Sequence, residues 1–185
     1  PTAGTSNLRL GLNAGNSIVS GGNYNIVVGD DAGTAITNGE ANVALGWEAL
    51  KTEDTGNFST AIGYRALLTQ NNDASNYNTA VGALAGQAIT TGTLNTLIGG
   101  LAGDAIPTGQ ANTALGYRSL SATTTAASNT AIGVDSLTSN TTGTSNTAVG
   151  RDTLNQQTTA SYNTAVGHQA LNLNTSGSSN TASGF

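Results

Sequence analysis

Large aliphatic residues return at a fixed phase along the chain, each as the fourth residue of the pentapeptide Asn-Thr-Ala-aliphatic-Gly or a looser copy of it. The full form runs from Asn112 to Gly116, Asn129 to Gly133, Asn146 to Gly150 and Asn163 to Gly167, with looser copies starting at Asn7, Asn25, Asn42, Ser59, Asn78, Asn95 and Asn180. Successive copies start 17 residues apart, except for 18 from Asn7 to Asn25 and 19 from Ser59 to Asn78. A strict short period means one supersecondary unit stacked on itself. The pattern therefore predicts an all-β chain, a β-solenoid (β-roll) of about ten 17-residue rungs with one short strand in each. Rungs start near residues 7, 25, 42, 59, 78, 95, 112, 129, 146, 163 and 180, in a single repeat domain spanning 1–185. At about 4.8 Å per rung such a rod is roughly 50 Å long.

With the leading Asn as position 0, position +3 is Leu10, Val28, Leu45, Ile62 and so on to Val166, and only Ser183 in the incomplete last copy departs. Position +1 is Leu8, Ile26 and Val43, then Thr from Thr60 to Thr181. Positions +1 and +3 share one face of a strand, so their aliphatics are expected to look into the solenoid. Position +2 is then expected to point outward. Its column Ala44, Ala61, Ala80, Ala114, Ala131, Ala148 and Ala165 would offer a smooth strip for packing between chains. The Asn column (Asn78, Asn95, Asn112, Asn129, Asn146, Asn163) is expected to stack as a structural ladder of amides, each bonding neighbouring rungs.

The second half of each rung comes in two kinds. Either Leu sits at +8 (Leu50, Leu67, Leu120, Leu137, Leu154, Leu171), or Gly sits there and Ile appears at +11 (Ile18, Ile36, Ile89, Ile106). Each rung thus supplies one further large core residue from either of two places, as close packing of a narrow interior demands. A second Gly, or Ala126 and Ala160, follows at +14 and reads as the corner returning the chain to the next Asn. The two extra residues of the long rung, within 71–75, fall at that corner.

Composition narrows the possibilities. Only 8% of residues are charged and the net charge is −5, which provides no basic footprint for nucleic acid or anionic membrane. Cysteine is absent, excluding disulfides and thiolate metal sites. No apolar run approaches the roughly 20 residues of a membrane-spanning helix. Pro1 in place of an initiator Met reads as a processed product or a fragment of a longer chain.

The motif resembles the head repeats of YadA-like trimeric autotransporter adhesins, and more closely the Asn-Thr-Ala-Val-Gly-Tyr-x-Ala-Leu arrays of phage tail fibres, as in Asn112 to Leu120 and Asn163 to Leu171. The resemblance covers about residues 6–185. It implies a homotrimeric, fibrous, extracellular or virion-borne solenoid used for attachment. The period of 17 departs from the shorter adhesin repeat.

Residues that break the repeat are where chemistry is sought. At +5 lie Trp47, Tyr64 and Tyr117, candidate contacts for a glycan; the plainer reading is that stacked rings shield rung edges. At +6 lie Asp31, Glu48 and Arg65, then Arg118, Asp135 and Asp152. Neighbouring rungs bring these side chains together as surface charge ladders. No metal is expected beyond one sharper reading, a Ca²⁺ shared by Asp135 and Asp152. His168, the single histidine, has no nucleophile motif beside it, and the glycines follow the repeat rather than a phosphate-binding pattern. Neither catalysis nor a cofactor is expected.

The expected function is a shaft or head segment of a surface adhesin or phage tail fibre, extracellular or on a virion. Its partners would be copies of itself and a receptor or glycan on a host cell or surface, with no nucleic acid and no membrane insertion in this segment. A self-assembling extracellular filament, stacked end to end through open edges, is the alternative. A third reading, ice binding through the Thr column, would leave the +3 aliphatics as an apolar stripe in water.

Overall fold

Each pentapeptide forms a three-residue strand in a computed structural model that describes residues 4–185. The strands are β1 (Leu8–Leu10), β2 (Ile26–Val28), β3 (Val43–Leu45), β4 (Thr60–Ile62), β5 (Thr79–Val81), β6 (Thr96–Ile98), β7 (Thr113–Leu115), β8 (Thr130–Ile132), β9 (Thr147–Val149), β10 (Thr164–Val166) and β11 (Thr181–Ser183). They form one eleven-stranded parallel sheet in chain order. The register is strict, Thr113 against Thr130 and Leu115 against Ile132, so every repeat position becomes a column along the rod. Pro1 to Ala3, part of the expected domain 1–185, lie outside the described residues.

The parallel ladder continues past the strands. The Thr113 N–H donates to the Asn129 carbonyl (2.8 Å), and the Gly116 N–H to the Ile98 carbonyl (2.8 Å). The other fourteen or so residues of a rung return behind the sheet through tight turns. In rung 7, residues Ala111, Arg118 and Leu120 have φ of 54°, 54° and 56°, and the same three places are left-handed in rung after rung. At +4 only glycine fits: Gly116 has φ 139°, and a Cβ there would stand 2.5 Å from the Gly133 carbonyl oxygen of the next rung.

The sheet faces the opposite way from the expectation. Position +2 points inward, and Ala44, Ala61, Ala80, Ala114, Ala131, Ala148 and Ala165 are fully buried within the single chain. They line its core and cannot form an inter-chain strip. Positions +1 and +3 point outward, leaving Leu45, Ile98, Leu115 and Val166 exposed. The cause is volume. The return path runs close behind the strand, and the space between them already holds the +8 or +11 side chain. Beside a +8 Leu nothing larger than Ala fits at +2.

The exceptions at +2 show this directly. Arg9, Val27 and Leu97 replace Ala in rungs whose +8 residue is glycine: Gly15, Gly33 and Gly103. A Cβ on Gly33 would meet Val27 Cγ1 at 3.1 Å and Ile36 Cδ1 at 2.8 Å; on Gly103 it would meet Leu97 Cδ2 at 2.7 Å. Positions +2, +8 and +11 therefore share one interior volume. Leu50, Leu67, Leu120, Leu137 and Leu154 fill it from +8 and are fully buried; Ile36, Ile89 and Ile106 fill it from +11. A left-handed Leu costs roughly 1–2 kcal/mol and its burial contributes about 1.5–3 kcal/mol. Burial wins.

Candidate functional site

The interior carries a polar spine. Asn112 is fully buried, and its Oδ1 accepts the Asn129 backbone N–H (3.1 Å). Its Nδ2 donates to the Ala126 carbonyl at its own corner (3.0 Å) and to Asn95 Oδ1 (3.1 Å). The same pattern links Asn78 to Asn95, Asn129 to Asn146 and Asn146 to Asn163. Main-chain groups thus take part as fully as the amides themselves.

Ser59 interrupts this column, and a buried cluster replaces it. Gln70 Nε2 donates to Ser59 Oγ (2.7 Å) and to Glu53 Oε2 (2.8 Å), while Gln70 Oε1 accepts from Asn78 Nδ2 (2.8 Å). Glu53 also accepts from the Gly56 N–H (2.8 Å) and from Asn76 Nδ2 (3.0 Å), just beyond the 71–75 corner. Its carboxyl is fully buried, and loss of water pushes its pKa above the ordinary Glu value against the pull of these donors. The repeat pattern placed Asn78 in the amide ladder and Ser59 at a rung start, but did not bring Glu53, Gln70 and Asn76 together. The usable signal was the acidic Glu53 at +11, where the other Leu-type rungs carry the neutral Gln70, Thr123, Asn140, Gln157 and Asn174.

The expected surface residues fall into two groups. Trp47 and Tyr64 stack in adjacent rungs, with centroids 5.1 Å apart and planes at 24°. The Arg65 guanidinium sits beside both rings, 4.8 and 5.4 Å from their centroids. Tyr117 stands apart from this pair, its ring inclined towards Gly100, where an added Cβ would meet Cδ2 at 3.5 Å. A second stack went unread in the sequence: Phe58 lies on Tyr77 at position −1, 5.1 Å apart and at 11°.

The charged column forms ion pairs. Glu48 pairs with Lys51 and with Arg65 (2.7 Å), and these cations hold its carboxyl below the usual range although burial opposes them. Asp135 lies 3.6 Å from Arg118 Nε, and Asp152 lies 3.2 Å from Arg151 Nε. Each aspartate of the Ca²⁺ reading therefore faces an arginine. Among the described residues no group of three or more His, Cys, Asp or Glu is placed to hold a metal ion.

The largest continuous feature is the outer face of the sheet. Its centre is the Thr column at +1 beside the aliphatic column at +3, both half-buried or exposed. Its two edges are the −1 column, with Tyr24, Phe58, Tyr77, Leu94 and Tyr162 exposed, and the +5 column, with Trp47, Tyr64 and Tyr117 exposed. Apart from tyrosines, acidic or basic side chains enter these four columns only at Asp30, Arg151 and His168, all on the +5 edge. The three-residue strands alone are about 10 Å wide, and with both edges the face spans at most about 20 by 50 Å. A contiguous apolar patch beyond a few hundred Å² marks an interaction surface. No protein-family model, curated protein or solved structure matches the chain.

Proposed function

We propose that the chain is a structural segment of an attachment fibre, and that copies of it associate through the outer face of the sheet into a homotrimer. The observation that carries this reading is that flat face, with its Thr and aliphatic columns directed away from the core. Geometry favours three. Three faces about 20 Å wide enclose a triangular prism whose sheets lie about 6 Å from the axis, close to half the usual 10 Å spacing of packed sheets. The +1 and +3 side chains then fill the prism. Four faces would stand about 10 Å from the axis and leave a hole. The resemblance of the repeat to adhesin heads and tail-fibre arrays supports attachment, extracellular or on a virion, as the use of such a rod. Any receptor or glycan would then be met on the surfaces that face away from the threefold axis.

Sedimentation equilibrium and mass photometry test the assembly. Three chains of 18.3 kDa each give a closed species of about 55 kDa. Placing Asp at Ile98 and Ile132 should yield folded monomers. Open-ended polymers would favour the filament reading. A wild-type monomer that shows thermal hysteresis would move the Thr column to ice binding, and a plain monomer would overturn self-association altogether.

A further inference from the structure

The two edges of the sheet face are matched in size, rung by rung. In rung 3 the −1 residue is Ala41 and the +5 residue Trp47; in rung 7 they are Ala111 and Tyr117. The order reverses in rung 5, Tyr77 with Ala83, and in rung 6, Leu94 with Gly100. Ser128 with Val134 and Ser145 with Arg151 continue the pattern in rungs 8 and 9. Residues −1 and +5 of one rung stand on opposite sides of the three-residue strand, and the ring stacks join residues of the same column in adjacent rungs. The two edges do not touch within a chain, so core packing supplies no reason for one to shrink where the other grows.

Contact between chains supplies one. Around a rotation axis parallel to the rod, the −1 edge of each copy lies against the +5 edge of the next at the same height. Resting on the self-association reading above, we infer that these edge columns are a size-matched pair that locks neighbouring copies parallel and in axial register. Without such a device the near-identical rungs would let copies slide by whole steps of about 4.8 Å. Sliding one rung in one direction sets Trp47 against Phe58 and Tyr64 against Tyr77, and leaves Gly100 opposite Ala111. Sliding the other way sets Trp47 against Tyr24 and Tyr117 against Leu94. Each shift joins collisions to the mismatch, which is how repulsion enforces specificity between similar arrangements.

Two rungs carry large residues on both edges. In rung 4 these are Phe58 and Tyr64, stacked on Tyr77 and Trp47 respectively. The diagonal neighbours of that crowded rung are Ala41 and Ala83, which leave it room. The other is rung 10, where Tyr162 accompanies His168, whose ring stacks on Phe185 (5.4 Å).

Exchanging the sizes in rung 7 tests the match. Ala111 has φ 54°, a conformation that Tyr24, Tyr77 and Tyr162 already hold at the same place with φ of 60°, 51° and 62°. Ala111→Tyr should therefore leave the chain folded, with an unchanged far-ultraviolet circular dichroism spectrum. It should weaken association about tenfold or more by sedimentation equilibrium, the size of effect one misplaced ring produces. Adding Tyr117→Ala should restore it to within about threefold, whereas adding Val134→Ala, the partner in a shifted register, should not. Rescue by Val134→Ala, rescue by neither, or no effect of Ala111→Tyr would each overturn the matched register while leaving self-association standing. A wild-type chain that stays monomeric overturns both.

Discussion

Asn112 Oδ1 accepts two hydrogen bonds from Asn129, one from its backbone N–H at 3.1 Å and one from its Nδ2 at 3.3 Å. One buried atom thus ties two successive rungs, and the chain repeats the device along the rod. Replacing Asn112 by Ala strands the Asn129 N–H and the Ala126 carbonyl in the interior. Each orphan costs about 1–3 kcal/mol, so a loss of roughly 2–6 kcal/mol is expected in urea unfolding. A loss below that of an ordinary surface substitution would mean that water enters the spine and replaces the amide.

The orientation of the sheet can be read by a pair of substitutions on adjacent residues of β8. Ala131→Leu adds volume to a filled interior and should cost about 1–3 kcal/mol. Thr130→Leu, on the outward side where Leu8 stands in β1, should change stability by no more than about 0.5 kcal/mol in a chain kept monomeric. Reversal of that order would turn the sheet over.

The shared interior volume predicts strong coupling in rung 6. Gly103→Leu collides with both Leu97 and Ile106 and should cost more than about 2 kcal/mol. Adding Leu97→Ala and Ile106→Thr converts the rung to the type seen at Leu120 and Thr123, and should return stability to within about 1 kcal/mol. Additive losses in the triple variant, followed by thermal denaturation, would separate the three positions.

Glu53 makes stability depend on pH. Its folded pKa lies above the ordinary value, so the folded chain binds the proton more tightly than the unfolded one. That stabilisation is complete below the ordinary Glu range and is lost as the pH rises through the raised folded value. Asp104, also raised by burial, acts in the same direction, while Glu48, lowered by Lys51 and Arg65, acts in the opposite one. The difference between wild type and Glu53→Gln isolates the one group. The variant should melt higher than wild type near pH 8, and the gap should close on acidification. Parallel melting curves across that range would place the carboxyl in water.

The fold was legible because a period of 17 leaves one architecture, and the two-place core residue was legible because Leu and Ile exchange without exception. The direction of the strand was misread. An alternating strand identifies two faces and leaves open which is inside. Aliphatics at +1 and +3 look like core when burial is judged by hydrophobicity alone. The corrective was present in Val27 with Gly33 and Leu97 with Gly103, where a larger +2 residue coincides with a missing +8 side chain. The cluster of Glu53, Gln70 and Asn76 was harder to find: Glu53 and Gln70 stand 17 apart at +11, but Asn76 joins them only through the 71–75 corner, off the period. The +5 aromatics were placed correctly on the surface, yet their counterparts at −1 went unseen, since that column mixes rings with Ala and Ser.

The cluster around Glu53 has a further consequence for how the chain reaches its final form. A polypeptide of near-identical rungs can dock a segment on the wrong neighbour and still satisfy most of its contacts. Rung 4 cannot do so cheaply. Glu53 finds Gln70 and Asn76 only when the long rung follows directly upon rung 3, and any other partner would bury its carboxylate without donors, at a cost of several kcal/mol. One acidic side chain thereby serves as a folding address, telling otherwise interchangeable coils where in the stack they belong.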